Sequence, residues 1–215
     1  MTEFSNKSIF FDLDGTLTDP KEGITGCIQY ALERLGEPVP EADDLTWCIG
    51  PPLLGNFEQL IGKARAAEGV RFYRERFSDV GLFENKPYAG IHDTLQTLLE
   101  RGYDLNVASS KPEVFVKRIL ERYNLTSYFR HVFGAELDGT RSDKSELLGH
   151  ALVTAGIHPC VTTMVGDRKF DAIGAASNGI DFVGVLYGYG DEAELTAAGA
   201  KNLVHRHEEL LEVFP

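Results

Sequence analysis

The chain has 215 residues, of which 43% are hydrophobic and 25% charged, and its formal net charge is −12 at pH 7. This length accommodates one large domain or a domain that carries an insertion. The negative charge disfavours a nucleic-acid polymer or an anionic membrane as the main partner. No apolar run reaches the ~18 residues that a membrane-spanning helix needs.

The cysteines and the N-terminal segment both favour a cytoplasmic location. Cys27, Cys48 and Cys160 are widely spaced and form no CxxC motif, so we predict reduced, buried thiols. The polar segment 1–7 leads directly into the first apolar run and leaves no room for a signal peptide. The sequence leaves the choice between a monomer and a dimer open.

The first predicted strand, Ser8–Phe11, ends in two carboxylates. Because side chains alternate along a strand, Asp12 and Asp14 leave its end on the same side, where their charges repel. The site must therefore supply a cation or share a proton. Gly15 permits a turn with positive φ that exposes backbone N–H groups to an anion, and Thr16 adds a hydroxyl donor. This combination indicates chemistry on phosphate.

The stretch from 18 to 83 contains helical patterns and no convincing strand. Helices are predicted from the N-cap Asp19 through 35, with Gly36 as the stop, at Leu53–Ile61 and at 64–77. A crossover between parallel strands needs only about a dozen residues. We therefore predict a helical insertion at 18–83 and a core formed by 1–17 and 84–215.

The rest of the chain alternates between short apolar runs and helical patterns. This alternation is typical of an α/β fold, here a three-layer, Rossmann-like parallel sheet covered by helices on both faces. The final segment 202–214 is predicted to form a short strand and a packing helix. The further strands are predicted at 104–108, 131–133, 162–165 and Asp181–Val185, and the helices at 112–123 (N-cap Ser110), 145–155 and 170–177.

Polar residues follow three more of these strands or open the next helix. Ligands of open α/β sheets bind at the carboxyl ends of the strands, so a shared site is expected there. Ser109 can donate to a phosphate, whereas Ser110 also suits a plain helix cap, and Lys144 taken alone would be an ordinary solvated lysine. Gly166-Asp167 and Asp171 form a GDxxxD pattern, which is weak in isolation but much stronger beside the first motif.

Taken in order, these residues resemble the motifs of the haloacid dehalogenase-like (HAD) hydrolase superfamily, in particular its phosphatases. The segment from Asp12 to Asp19 matches DxDGTLxD in full, and Ser109, Lys144 and the GDxxxD pattern match the other three motifs. The helical insertion lies where the family places its C1-type cap. The resemblance implies that Asp12 is the nucleophile that forms an aspartyl-phosphate and that Asp14 is the general acid and base.

The resemblance also implies a Mg²⁺ ion and a phosphate-binding set. Mg²⁺ would be held by Asp12, the backbone carbonyl of Asp14, Asp167 and Asp171. The implied contacts to substrate and phosphate are made by Gly15, Thr16, Ser109, Ser110 and Lys144 in the core and by Gly50 and Pro51 in the cap.

The subgroup is indicated by weaker signals. The Gly50-Pro51-Pro52-Leu53 turn, Ser110-Lys111-Pro112 and the Tyr187–Gly190 loop resemble phosphoglycolate phosphatases and HAD 5′-nucleotidases. Trp47, Phe57, Phe72 and Tyr73 either stack on a nucleobase or form the cap core. Arg65, Arg71, Arg74 and Arg76 either meet a substrate anion or lie in solvent.

The favoured substrate is a small phosphorylated metabolite, namely a nucleoside 5′-monophosphate, and 2-phosphoglycolate is the alternative. A sugar phosphomutase, a non-catalytic phosphate-binding module and a two-component receiver domain are less favoured. Dehalogenation is disfavoured by Asp14, which dehalogenases do not need.

Overall fold

The computed structural model describes residues 7–215, which divide into two compact units. The first unit, here the sheet unit, comprises the chain up to Thr18 and from Pro87 onward, and the second, the helical unit, comprises Asp19–Lys86. The sequence prediction set the insertion at 18–83, which differs by one residue at its start and three at its end. The prediction of a cytoplasmic location rests in part on residues 1–6, which lie outside the described residues.

The bounds of the regular elements are as follows. The strands are β1 (Ser8–Phe11), β2 (Thr18–Asp19), β3 (Lys86–Pro87), β4 (Asp104–Pro112), β5 (His131–Ala135), β6 (Thr162–Gly166), β7 (Asp181–Val185) and β8 (Asn202–Val204). The α-helices are α1 (Lys21–Leu35), α2 (Leu53–Ile61), α3 (Lys63–Phe77), α4 (Ile91–Glu100), α5 (Glu113–Arg122), α6 (Lys144–Ala155), α7 (Lys169–Ser177), α8 (Glu192–Ala197) and α9 (Leu210–Val213).

Six strands form one parallel sheet in the order β5-β4-β1-β6-β7-β8. Within it, Phe11 at the end of β1 is paired with Val107 of β4 on one side and with Val165 of β6 on the other. The residues that follow Phe11, Val107 and Val165 therefore lie at the same edge of the sheet. This register makes Asp12 a neighbour of both flanking strands at their carboxyl ends.

Side-chain alternation divides the apolar residues of β1 between the two faces of the sheet. Phe10 is buried in one cluster with Met164 and with Leu148 of α6 and Ala175 of α7. Phe11 points the other way and makes an edge contact with Phe129, and α4 and α5 pack against β4. Helices thus cover the sheet, and the predicted three-layer α/β class with an inserted helical segment is confirmed.

The helical unit has its own apolar core. Helix α3 packs against α1 and α2, and Phe57, Tyr73 and Phe77 stack or meet edge-on inside the unit. Phe57, Phe72 and Tyr73 are buried, so the stacking-face interpretation is wrong for these three, whereas Trp47 is half-buried. In the part of the chain that the structure describes, no helix has the length and apolar character needed to cross a membrane.

Three local predictions differ from the structure, and for Ser110 the reason is the pairing of β4 with β5. Ser110 does not cap α5: β4 continues through it to Pro112, and the helix begins one residue later. The N-cap position of α1 is Pro20, although Asp19 Oδ1 does accept a hydrogen bond from the Lys21 amide at 3.0 Å. Cys160 is exposed, whereas Cys27 and Cys48 are buried as predicted.

Candidate active site

Asp12 lies just beyond β1, at the carboxyl edge of the parallel sheet. Its backbone amide donates to the carbonyl oxygen of Val165 at 2.9 Å, which extends the pairing with β6 by one residue. Its carboxylate is almost inaccessible to solvent. Lys144 Nζ lies 2.9 Å from Asp12 Oδ1 and donates to the carbonyl oxygen of Ala108 at 2.8 Å.

Lys144 is the first residue of α6, and the helix start aims it into the sheet unit. Asp143 caps this helix by accepting hydrogen bonds from the amides of Ser145 and Glu146. Gly174 of α7 leaves room for the lysine stem, since a Cβ there would lie 2.8 Å from Lys144 Cγ. The lysine is therefore buried and not solvated, which its sequence context alone did not indicate.

Three carboxylates converge on this point of the sheet. Asp12, Asp167 and Asp171 are buried and each offers an oxygen within 4.8 Å of the others. Lys144 Nζ lies 2.7 Å from Asp171 Oδ1. The sequence motifs that end β1 and β6 therefore meet in space.

The acids outnumber the single lysine, and the pKa values reflect this. Burial raises the pKa of the Asp167 carboxyl well above its usual range, and the charges of Asp171 and Asp12 raise it further. Burial likewise raises the pKa of Asp171 to about 6, against the opposing effect of Lys144. Burial lowers the pKa of Lys144, but Asp12 and Asp171 outweigh that effect and raise it overall.

This cluster fits a small, hard divalent cation such as Mg²⁺. Mg²⁺ prefers carboxylate oxygens, and a bound cation would offset both the burial of these charges and their mutual repulsion, which together raise the pKa values. Asp171 Oδ1 is buried and accepts no aligned hydrogen bond from any of residues 7–215, its contact with Lys144 being an ion pair. The three side-chain carboxylates of the predicted ligand set lie together in this cluster, and the fourth predicted ligand, the backbone carbonyl of Asp14, stays a prediction.

Asp14 is held by a different lysine. Lys111 Nζ lies 2.7 Å from both carboxylate oxygens of Asp14, and both side chains are buried. Burial raises the pKa of Asp14 and Asp12 adds to the increase, while Lys111 opposes both. The sequence reasoning noted Lys111 only as a subgroup match, because a lysine two residues beyond Ser109 carries no local signal for its partner.

The turn after Asp14 packs directly against the acidic cluster. Gly15 has φ 82°, and a Cβ at this position would lie 2.1 Å from Asp167 Oδ2, so only glycine fits. Thr16 is fully buried and its hydroxyl donates to Asp167 Oδ1 across 3.5 Å. The predicted role of this turn in phosphate binding stays a prediction.

The other predicted binding residues divide between the two units. Ser109 is buried and pairs with Gly134 of β5 just before an irregularity in β4, and Ser110 follows it, half-buried. Gly50, with φ 103°, and Pro51 belong to the helical unit, in the turn that leads into α2. Their predicted contact with substrate also stays a prediction.

Sequence reasoning noted the loop 187–190 only as a subgroup match and did not predict that it encloses Asp167. The Tyr189 amide donates to Asp167 Oδ2 at 2.8 Å, and the Tyr187 hydroxyl donates to the carbonyl oxygen of Thr16 at 3.0 Å. A Cβ on Gly188 or Gly190 would lie within 2.4 Å of Asp167 or the adjacent turn. The alternating Tyr-Gly pattern was the available signal, since two glycines so close together often mark a close backbone approach.

Comparison with known proteins gives a family match and several similar proteins. The family described as haloacid dehalogenase-like hydrolase matches residues 9–185, which include all four motifs. The 5′-nucleotidase of Pseudomonas aeruginosa is 48% identical over 88% of this chain and 87% of that protein. Proteins named phosphoglycolate phosphatase match at lower identity.

Two further similar proteins are one that is named as a kinase and one whose structure has been solved. The tyrosine-protein kinase PtkA of Mycobacterium tuberculosis is 40% identical over 86% of this chain, which spans 64% of that longer protein. The crystal structure of a predicted phosphatase from Clostridium acetobutylicum has a TM-score of 0.92 and 39% identity, and the match covers 96% of this chain and 99% of that one. The chain therefore belongs to the haloacid dehalogenase-like hydrolase family.

Proposed function

We propose that this hydrolase is a Mg²⁺-dependent phosphomonoesterase that acts on small phosphorylated metabolites, with nucleoside 5′-monophosphates as its main substrates. The observation that carries the proposal is the pairing of Asp12 with Lys144 inside a cluster of three buried carboxylates. A carboxylate held beside a buried ammonium group and a cation-binding cluster is suited to attack an anionic phosphorus centre.

The chain's own residues account for both chemical steps. In the first, a carboxylate oxygen of Asp12 bonds to phosphorus, the bond from phosphorus to the leaving oxygen breaks, and Asp14 gives that oxygen a proton. In the second, a water oxygen bonds to phosphorus, the bond from phosphorus to Asp12 breaks, and Asp14 takes the proton of the water. Burial of Asp14 raises its pKa, which favours the protonated form that the first step uses.

Electrostatic repulsion is the main obstacle to the first step. A carboxylate and a phosphate charge separated by 4 Å repel by about 4 kcal/mol at an effective dielectric of 20. Lys144 is already in contact with Asp12 and would offset part of this repulsion. Mg²⁺ held by Asp12, Asp167 and Asp171 would neutralise charge on the phosphoryl oxygens, and Ser109 and the amides of the Gly15 turn would bind the others.

The substrate class is supported by the 48% identity with a protein named 5′-nucleotidase. Phosphoglycolate is the alternative, because relatives with that activity in their names match at lower identity. The similarity to PtkA adds a phosphoryl-transfer alternative in which a tyrosine, and not water, accepts the phosphoryl group. The three alternatives differ in the donor or the acceptor, so one set of assays separates them.

The test is phosphate release from a panel of phosphorylated metabolites, with Mg²⁺ or with EDTA. The panel contains nucleoside 5′-monophosphates, 2-phosphoglycolate, sugar phosphates and pyrophosphate. A separate reaction contains labelled ATP and a tyrosine peptide. Asp12→Asn is the inactive variant, and Asp93→Asn, which changes an exposed aspartate of α4, is the matched control.

We expect turnover that requires Mg²⁺, survives Asp93→Asn and disappears in Asp12→Asn, with nucleoside monophosphates giving the highest kcat/KM. Preference for 2-phosphoglycolate would overturn the substrate assignment and leave the chemistry intact. Label on the peptide without phosphate release would replace the hydrolase proposal by the transferase alternative.

A further inference from the structure

In the sheet unit, each of the two aspartates of the first motif forms an ion pair with a different buried lysine. Lys144 contacts Asp12, whereas Lys111 lies 2.7 Å from both carboxylate oxygens of Asp14. The Lys111 and Asp14 side chains are 7% and 9% exposed. By comparison, the pair formed by Lys117 and Glu113 on α5 is 60% and 38% exposed, as is usual for ion pairs that contribute little.

An irregularity in β4 delivers Lys111 to this position. Ser109 pairs with Gly134 and Pro112 pairs with Ala135, so two residues of β4 lie between partners that are adjacent in β5. The extra residues are Ser110 and Lys111. Such bulges redirect side chains at the edges of sheets, and here β4 lies directly beside β1, which is followed by the turn that contains Asp14.

Gly134 makes the irregularity possible. A Cβ at this position would lie 2.8 Å from the carbonyl oxygen of Lys111 and 2.5 Å from Glu113 Cα. Only a residue without a side chain therefore lets the β4 backbone approach β5 so closely. The placement of Lys111 thus depends on the backbone of two strands.

A buried ion pair of this kind fixes the position of the carboxylate. Removing one partner from a buried pair leaves an uncompensated charge, which is strongly unfavourable, so without Lys111 the Asp14 carboxyl group is expected to turn towards other donors or water. General acid–base catalysis requires the carboxyl group within about 3 Å of the proton that it transfers. Loss of this orientation would therefore affect the chemical step rather than substrate binding.

We propose that Lys111 is a positioning residue for Asp14: its ammonium group holds the Asp14 carboxyl group where it exchanges a proton with the leaving oxygen and with the attacking water. This proposal rests on the proposed function, because it assigns a role within the same two chemical steps. Lys111 itself does not form or break a bond in either step.

The leaving group distinguishes positioning from general structural support. An alkyl phosphate such as AMP releases a strongly basic alkoxide and needs the proton from Asp14, whereas p-nitrophenyl phosphate releases a weakly basic phenolate and does not. A defect in the orientation of Asp14 should therefore slow the first step for AMP and spare the first step for the aryl ester. General damage to the site would slow both.

The experiment measures the first turnover by rapid quench, as release of adenosine from AMP or of nitrophenolate from the aryl ester, with Mg²⁺ present. For Lys111→Met we expect adenosine release to fall on the order of 100-fold, while nitrophenolate release and the KM for AMP stay close to the wild-type values. Lys111→Arg should restore part of the loss. Lys117→Met, the matched control on an exposed pair, should match the wild type.

A double variant keeps the test valid if the single variant Lys111→Met does not fold. In the double variant Asp14→Asn, Lys111→Met both charges are absent, so no unpaired charge is buried. If Lys111 acts through Asp14, this variant should release adenosine at the rate of Asp14→Asn alone. A further loss in the double variant would overturn the proposal.

Equal losses on AMP and the aryl ester, or a change confined to KM, would also overturn the positioning role while leaving the proposed function in place. A wild-type protein that releases no phosphate from any substrate would instead overturn the proposed function, and the positioning role with it.

Discussion

In the sheet unit, three aspartates and Lys144 lie together with almost no exposure to solvent. In the helical unit, ion pairs lie nearer the surface. The side chains of Arg34 and Glu75, which form one such pair, are 48% and 45% exposed. The buried space there is filled by aromatic rings instead. A fold places unlike-charged groups in its interior at a cost in desolvation, so the buried charges of the sheet unit point to chemistry, and the helical unit shows an ordinary core.

The largest expected effect follows from removing the nucleophile in the sheet unit. Asp12→Asn should lower Mg²⁺-dependent phosphate release by at least roughly 10⁴-fold, because the first bond to phosphorus cannot form. Asp44→Asn, which changes an exposed aspartate in the helical unit, should leave the rate unchanged. Initial rates at saturating substrate measure both, and similar losses would remove the contrast between the two units.

The next effect concerns the aromatic core of the helical unit. Phe57 is fully buried, and Phe57→Ala should cost about 3–5 kcal/mol of stability. Hydrogen exchange should accelerate across Asp19–Lys86 more than in the sheet unit, because each unit has its own core. Equal acceleration in both units would mean that they unfold as one.

Lys144→Met removes a buried charge, whereas Phe57→Ala removes a buried aromatic side chain. The variant leaves Asp12 and Asp171 without their shared cation, so we expect a loss of about 3 kcal/mol in the free energy of unfolding. Added Mg²⁺ should restore part of this loss by replacing the missing positive charge. Urea denaturation with and without Mg²⁺ measures both effects, and an unchanged midpoint in EDTA would contradict the prediction.

A smaller effect should appear in the pH dependence of stability. Burial raises the folded-state pKa of Asp171 to about 6 from its ordinary value of 3.8, and the experiment uses EDTA so that no bound metal ion changes it. A raised carboxyl pKa means that the folded state binds the proton more tightly, so this contribution to stability is complete below about pH 4 and is lost as pH rises through about 6. Stabilisation by Mg²⁺ should grow over the same interval, because the metal needs the ionised form.

Asp171→Asn tests this assignment. The variant should flatten the decline in stability between about pH 4 and 6 in EDTA. If stability declined as steeply as in the wild type, the decline would be caused by another titratable group.

The smallest effect belongs to the surface of the helical unit. Glu68 lies 3.8 Å from Arg71, and both side chains are about half exposed. Glu68→Ala should change the free energy of unfolding by no more than about 0.5 kcal/mol. Thermal unfolding measured beside Phe57→Ala gives the comparison, and a shift of similar size would mean that surface charge matters here as much as the core.

Much of the sheet unit could be predicted because its signals are local. Ser8–Phe11 and Asp181–Val185 have the predicted bounds, as does the helix Leu53–Ile61 of the helical unit, since an apolar run with a clear stop needs little context. The acidic motifs could also be placed at one edge of the sheet, because parallel strands present their carboxyl ends together. The six-stranded α/β architecture and the family follow from these features.

The sequence by itself thus determined the alternation of strands with helices, the inserted helical segment and the identity of the acidic residues, all of which depend on spacing along the chain, although it did not predict α4 and α8. Tertiary structure alone decided that Lys111 pairs with Asp14, that the Tyr187–Gly190 loop encloses Asp167, and that Ser110 continues a strand instead of capping a helix. The physical reason is distance: these contacts join residues from separate strands and loops, and the energy of a buried charge or a close backbone approach depends on what surrounds it.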